Sequence, residues 1–128
     1  MIMKNKERIE EALYYMQNDT AKAIKIFDEI LDKDPENIRA INGKGFSLMK
    51  MDQTNEAEKI FDYSLSIKET PAALINKGII NKNNGNYDES LFYYDRAIEI
   101  KPSLTNIIMN LKNEIFEIID EPESTISE

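Results

Sequence analysis

A chain of 128 residues with 41% hydrophobic and 31% charged content fits one domain able to bury a core, and excludes disorder throughout. A formal net charge of -8 without a long basic run disfavours nucleic acid as a general partner, because a phosphate backbone is repelled on average. The absence of Cys and His excludes a disulfide framework and thiolate metal sites, and removes the commonest general base near neutrality.

Periodicity along the chain predicts seven helices, at about 4–17, 20–33, 36–51, 54–68, 71–83, 87–101 and 103–120. Residues 1–10 lack the apolar stretch of a secretion signal, and no run of about 18 apolar residues exists to span a bilayer. A cytoplasmic protein without membrane contact is expected. Asp34-Pro35-Glu36 and Thr70-Pro71 each set a capping side chain before a proline suited to a first helical turn, so both prolines are predicted to open helices. Asn86 with Glu89 resembles a capping box, and Gly85 permits the left-handed geometry that closes the helix before it. In the seventh helix Leu104, Ile108, Leu111, Ile115 and Ile118 form an apolar stripe predicted to seal the end of the assembly. Ile107, Met109, Phe116 and Ile119 exceed what that stripe requires. The acidic segment 121–128, with Pro122, Ser124, Thr125 and Ser127, has little to bury and is expected to be disordered.

The strongest signal is an internal repeat. Ala23, Phe27, Ile30 and Pro35 recur as Ala57, Phe61, Ser64 and Glu69, then as Ser90, Tyr94, Ala97 and Pro102, at offsets of 34 and 33 residues. A small residue followed four later by an aromatic, at that period, marks stacked helical hairpins. Gly45 and Gly78 keep the same spacing within helical segments, where glycine costs about 1 kcal/mol relative to alanine. Its recurrence at equivalent places implies that a second helix crosses too close for a side chain.

These residues resemble the tetratricopeptide repeat. The third unit is the clearest copy, with Leu74, Gly78, Gly85, Tyr87, Ser90, Tyr94, Ala97 and Pro102 standing at the family's places. The second supplies Ile41, Gly45, Leu48, Ala57, Phe61 and Leu65, but has Ser64 for alanine and Glu69 for proline. The first keeps Tyr14, Ala23, Phe27 and Pro35 and carries Glu11 where glycine belongs. The resemblance implies an all-α, right-handed superhelical stack of three helical hairpins at about 4–37, 38–70 and 71–104, plus a capping helix at 103–120, within a domain of residues 1–120.

No catalytic chemistry is expected. The abundant carboxylates lie on charge-rich helices and read as solvated faces. Asp32, Asp34 and Glu36 imitate a calcium loop, but Asn37 and Gly43 replace its glycine and bidentate acid. Gly43-Lys44-Gly45 is too short for a phosphate loop. No cofactor or metal site is therefore predicted.

In the family the first helix of each unit lines a concave face. By that resemblance the groove presents Arg8, Ala12, Tyr15, Met16, Arg39, Asn42, Phe46, Met49, Lys50, Ile75, Ile79, Lys82 and Asn83. Four of these are basic and none acidic, so an acidic partner would be steered inward. The apolar members would form the floor on which a partner buries side chains. A protein or peptide partner of apolar-acidic character is expected, and the function is that of an adaptor. The alternative is homodimerisation through the seventh helix, with an RNA-binding accessory role a third reading. The carboxylate clamp by which some family members hold chaperone tails is not reproduced, since Ala12, Gly43 and Ala72 occupy places that should be polar or basic.

Overall fold

A computed structural model describes residues 4–120. Seven α-helices occur among them: α1 (Asn5–Asn18), α2 (Thr20–Lys33), α3 (Ile38–Lys50), α4 (Thr54–Ile67), α5 (Pro71–Asn83), α6 (Tyr87–Ile100) and α7 (Thr105–Ile119). A short 3₁₀ turn, Pro102–Leu104, precedes α7. Helices α1 and α2, α3 and α4, and α5 and α6 pair as hairpins, and each hairpin packs on the next through α2 against α3 and α4 against α5. The first helices also touch in succession, α1 with α3 and α3 with α5, which makes them one layer of the superhelix. The segment 121–128 expected to be disordered lies outside the described residues.

The repeat spacing acts through close approach of helices. A Cβ at Gly45 would lie 2.7 Å from Cζ of Phe61, and one at Gly78 would lie 2.6 Å from Cδ1 of Tyr94. Both rings are fully buried. A third contact of this kind crosses a unit boundary: a Cβ at Gly43 would lie 2.6 Å from Cε1 of Phe27. Residues two apart on a helix project to nearly opposite sides. Helix α3 is therefore gripped by Phe27 of α2 on one side and by Phe61 of α4 on the other. Glu11 does not prevent the first hairpin from closing, because the neighbouring Ala12 is fully buried with Ala23 and Phe27 and supplies the small residue at that crossing.

Departures from the repeat pattern have local compensation. Ser64 Oγ donates to Asn42 Oδ1 at 2.6 Å, and Asn42 Nδ2 donates to Thr70 Oγ1 at 3.2 Å. Glu69, in place of proline, accepts from Arg96 Nε and Nη2 at 3.1 and 2.7 Å, which holds its carboxyl below the usual carboxylate range. Ser90 Oγ donates to the Gly78 carbonyl at 2.6 Å, tying α6 to α5.

Thr70 and Pro71 open α5 as expected, with Thr70 Oγ1 accepting from Ala73 N–H. Gly85 takes φ +81°, and Asp52, 33 residues earlier, takes φ 60° at the equivalent turn. Aspartate is among the few side chains that tolerate this region. Other boundaries differ from expectation. Pro35 lies in a turn and α3 starts at Ile38, because Asn37 Oδ1 accepts from Ala40 N–H at 3.0 Å while Asp34 closes α2. Asn86 makes no side-chain cap bond, so the capping box is absent. Pro102 opens the 3₁₀ turn and delays α7 to Thr105. Ile108 and Ile115 are fully buried against the third hairpin and Leu104 and Leu111 pack beside them, but Ile118 is 44% exposed and stands outside the sealing stripe.

Candidate interaction surface

The layer formed by α1, α3 and α5 carries the predicted groove residues. Phe46, at the middle of α3, is 39% exposed. On the same three helices Tyr15, Met16, Met49, Ile75 and Ile79 are half-buried and pack partly against the core, so each shows an apolar edge on a fixed base. One face of Tyr15 is taken by Lys22 Nζ, 4.1 Å from the ring centroid. Ala12 is a correction: its full burial removes it from the wall. Asn42 is half-buried and committed to Ser64 and Thr70, so it braces the junction of the second and third units. Asn83 is exposed at the end of α5.

The four expected cations are not equivalent. Arg8 Nη2 lies 2.8 Å from Glu29 Oε1, with Glu11 at 3.8 Å from Nη1. Lys82 Nζ lies 3.1 Å from Glu114 Oε1 of α7. Lys50 Nζ donates to the Met16 carbonyl, a neutral acceptor in the last turn of α1 where the helix dipole favours a cation. Arg39 is exposed and has no acidic partner among the described residues. Net positive charge is thus left on α3, near its two ends, and is largely cancelled on α1 and α5. This narrows the expectation of a uniformly basic wall. Glu29 and Glu114 were not among the predicted groove residues, since pairs 21 and 32 residues apart leave no local mark in the sequence.

A second charge pattern joins the units. Lys44 Nζ meets Asp28 Oδ1 at 2.7 Å, Lys77 meets Asp62 at 2.8 Å, and Lys112 meets Asp95 at 2.5 Å. In each case the aspartate sits on the second helix of one unit and the lysine on the helix that follows. The aspartates directly follow Phe27, Phe61 and Tyr94 in sequence, so their recurrence was available as a signal. At the middle rung Lys77 is buried, also reaches Glu58 Oε2 at 2.9 Å, and lies 5.5 Å from the Tyr93 ring centroid. Burial pulls the Lys77 ammonium down, and the hydrogen bonds to Asp62 and Glu58 outweigh it, leaving a net rise from the ordinary value. These lysines are held by the unit junctions.

Among the described residues no group of three or more carboxylates is placed to hold a metal ion, and no helix is long and apolar enough to cross a membrane. Two family models described as tetratricopeptide repeat match the chain, one over residues 14–73 and the other over 71–104. Curated relatives include a probable UDP-N-acetylglucosamine–peptide N-acetylglucosaminyltransferase SPINDLY of Solanum lycopersicum, 27% identical over 106 residues, covering 81% of this chain and 11% of the relative. The protein of the same name from Hordeum vulgare is 31% identical over 88 residues, covering 68% of this chain and 9% of the relative. The chain thus spans only 9–11% of the length of these relatives.

Proposed function

The chain belongs to the tetratricopeptide-repeat family, whose scaffolds serve protein–protein interaction, and from that premise we propose that it holds a segment of another protein against the layer formed by α1, α3 and α5. The observation that carries this reading is Phe46, a large aromatic 39% exposed on α3, the middle helix of that layer, with half-buried apolar side chains on all three of its helices. An aromatic on a rigid base loses little conformational freedom when covered, which is the character of an interface anchor. Arg39 and Lys50, on the same helix and without acidic partners among the described residues, favour an acidic segment and speed its approach. The absence of cysteine suits a cytoplasmic setting, which is the proposed location.

Homodimerisation through α7 has weaker support, because the exposed apolar residues of that helix diverge. Ile107 and Ile118 lie on the side of Glu114, which reaches α5, whereas Phe116 lies on the side of Lys112, which reaches α6. They do not form one face for a second copy. An RNA-binding role now rests on two cations and has correspondingly less support.

The test is binding of a fluorescein-labelled synthetic peptide, glutamate-rich in its first half and leucine-rich in its second. The double variant Phe46→Ala, Arg39→Glu is expected to weaken binding by tenfold or more, since a buried aromatic anchor alone is worth about 2 kcal/mol. Both side chains are exposed, so the melting temperature is expected to stay within a few degrees. Unchanged affinity in a folded double variant would remove the inner layer from the account.

A further inference from the structure

We propose that α7 is a fourth wall of the binding surface and that this surface has a direction, taking an acidic stretch at α3 and an aliphatic stretch over α5 and α7. This rests on the inner-layer reading above and adds to it the order in which the guest lies. The ion pair between Lys82 and Glu114, at 3.1 Å, links the Lys82 side of α5 to one side of α7. On α7, Ile107, Leu111, Glu114 and Ile118 are spaced so that they share that side. Ile107 is 61% and Ile118 44% exposed, so aliphatic surface flanks the bridge on α7. On α5, Ile75 and Ile79 are half-buried and sit two turns and one turn before Lys82, respectively.

The charge of this half is cancelled by the bridge itself, and its apolar surface has no covering element among the described residues. A terminal helix of a stacked array ordinarily turns polar residues to solvent. Helix α7 does so with Asn106, Asn110, Asn113 and Glu117 on its far side, and exposes Ile107 and Ile118 along the edge that carries Glu114, with Phe116 and Ile119 exposed on the opposite edge. Of these two apolar edges, the one with Ile107 and Ile118 carries the Glu114 link to α5. The uncancelled cations Arg39 and Lys50 lie on α3, across α5 from this aliphatic edge. Charge complementarity then sets the direction. An acidic end of the guest gains at α3 and gains nothing beside the Lys82–Glu114 pair, while aliphatic side chains displace water at α5 and α7.

The experiment uses the same labelled peptide and a second one of identical composition with its halves interleaved, titrated against the whole chain. The double variant Ile107→Ser, Ile118→Ser is expected to weaken the first peptide about tenfold without lowering the melting temperature, because both side chains are exposed. The interleaved peptide is expected to bind at least about tenfold more weakly than the first to the unaltered chain. A nitroxide on the acidic end should broaden amide signals of α3 and leave those of α7, and a nitroxide on the leucine end should do the reverse. Equal binding of both peptides, equal broadening from either end, or full affinity in the serine variant overturns the proposal. If Phe46→Ala, Arg39→Glu still abolishes binding in those cases, the inner-layer reading survives alone. Failure of the first peptide to bind the unaltered chain at about 1 mM, a standard free energy near -4 kcal/mol, overturns the proposal as well.

Discussion

Gly78→Val is expected to lower the free energy of unfolding by about 3 kcal/mol, read as a fall in the urea midpoint with little change in slope. A Cβ at this position would lie 2.6 Å from Cδ1 of Tyr94, inside any normal contact. The ring has no room to swing away, because it is fully buried in a cluster with Leu74, Ala97, Ile108 and Ile115. Replacing glycine by any other helix former gains up to about 1 kcal/mol in backbone propensity, but forcing methyl groups into a filled crossing costs about 1–3 kcal/mol or more, so overpacking wins. Gly85→Ala is the informative comparison. Nothing lies within 4 Å of a Cβ there, but φ is +81°, so the expected loss is only about 1–2 kcal/mol from backbone strain. A smaller loss at Gly78 than at Gly85 would show that the hairpins do not depend on close helix approach.

The paired substitution Glu58→Gln, Asp62→Asn is expected to destabilise by about 3 kcal/mol at pH 7, more than Lys77→Met does. The asymmetry follows from exposure. The Lys77 side chain is only 8% exposed, whereas those of Glu58 and Asp62 are 33% and 59% exposed. Removing the carboxylates strands a buried ammonium, at the lower end of the usual 3–5 kcal/mol because water still reaches the site from the Asp62 side. Removing the lysine in favour of methionine leaves two carboxylates that can rehydrate, and costs about 1 kcal/mol. The pH dependence separates the cases. In the native chain the Lys77 pKa is raised, so its stabilisation is present below the unfolded value near 10.5 and is lost as pH rises through the folded value. Without Asp62 and Glu58 burial alone remains, the folded value falls below the unfolded one, and stability should instead rise with pH through that interval. Urea unfolding at pH 7 and pH 10, both below 10.5, is expected to show no loss of the Lys77 contribution in the native chain and a gain in stability in the variant, and equal changes in the two would contradict this account of the junction.

Much of the fold was legible because the repeat is written in steric terms. A small residue, an aromatic four later and a glycine on the paired helix can meet only if two helices cross closely, and Gly45 with Phe61 and Gly78 with Tyr94 do so. Gly43 shows the limit of that reading. It stood out as a mismatch to phosphate-loop, calcium-loop and carboxylate-clamp patterns, while its role is to admit Phe27 from the preceding unit. Helix starts were misplaced where two capping choices competed: Asn37 holds the Ala40 amide, so Pro35 is left in the turn before it. In the proposed interaction surface, Phe46 and Met49 lie on α3 and Ile75 and Ile79 on α5, each partly exposed, and their helices were legible from the spacing. Their electrostatic setting was not legible, because Arg8 with Glu29 and Lys82 with Glu114 pair across helices far apart in sequence. The Lys44, Lys77 and Lys112 junctions were partly legible, since Asp28, Asp62 and Asp95 recur beside the repeat aromatics.

The most direct measurement is amide NMR mapping of the isotopically labelled chain as the acidic-leucine peptide is added. Binding to the inner layer is expected to shift Arg39, Phe46 and Ile79 and their neighbours on α3 and α5, and to leave the exposed side of α2, α4 and α6, including Tyr63 and Phe92, in place. Shifts concentrated around Tyr63 and Phe92, with Phe46 unmoved at saturation, would place the partner on the outer helices and contradict it.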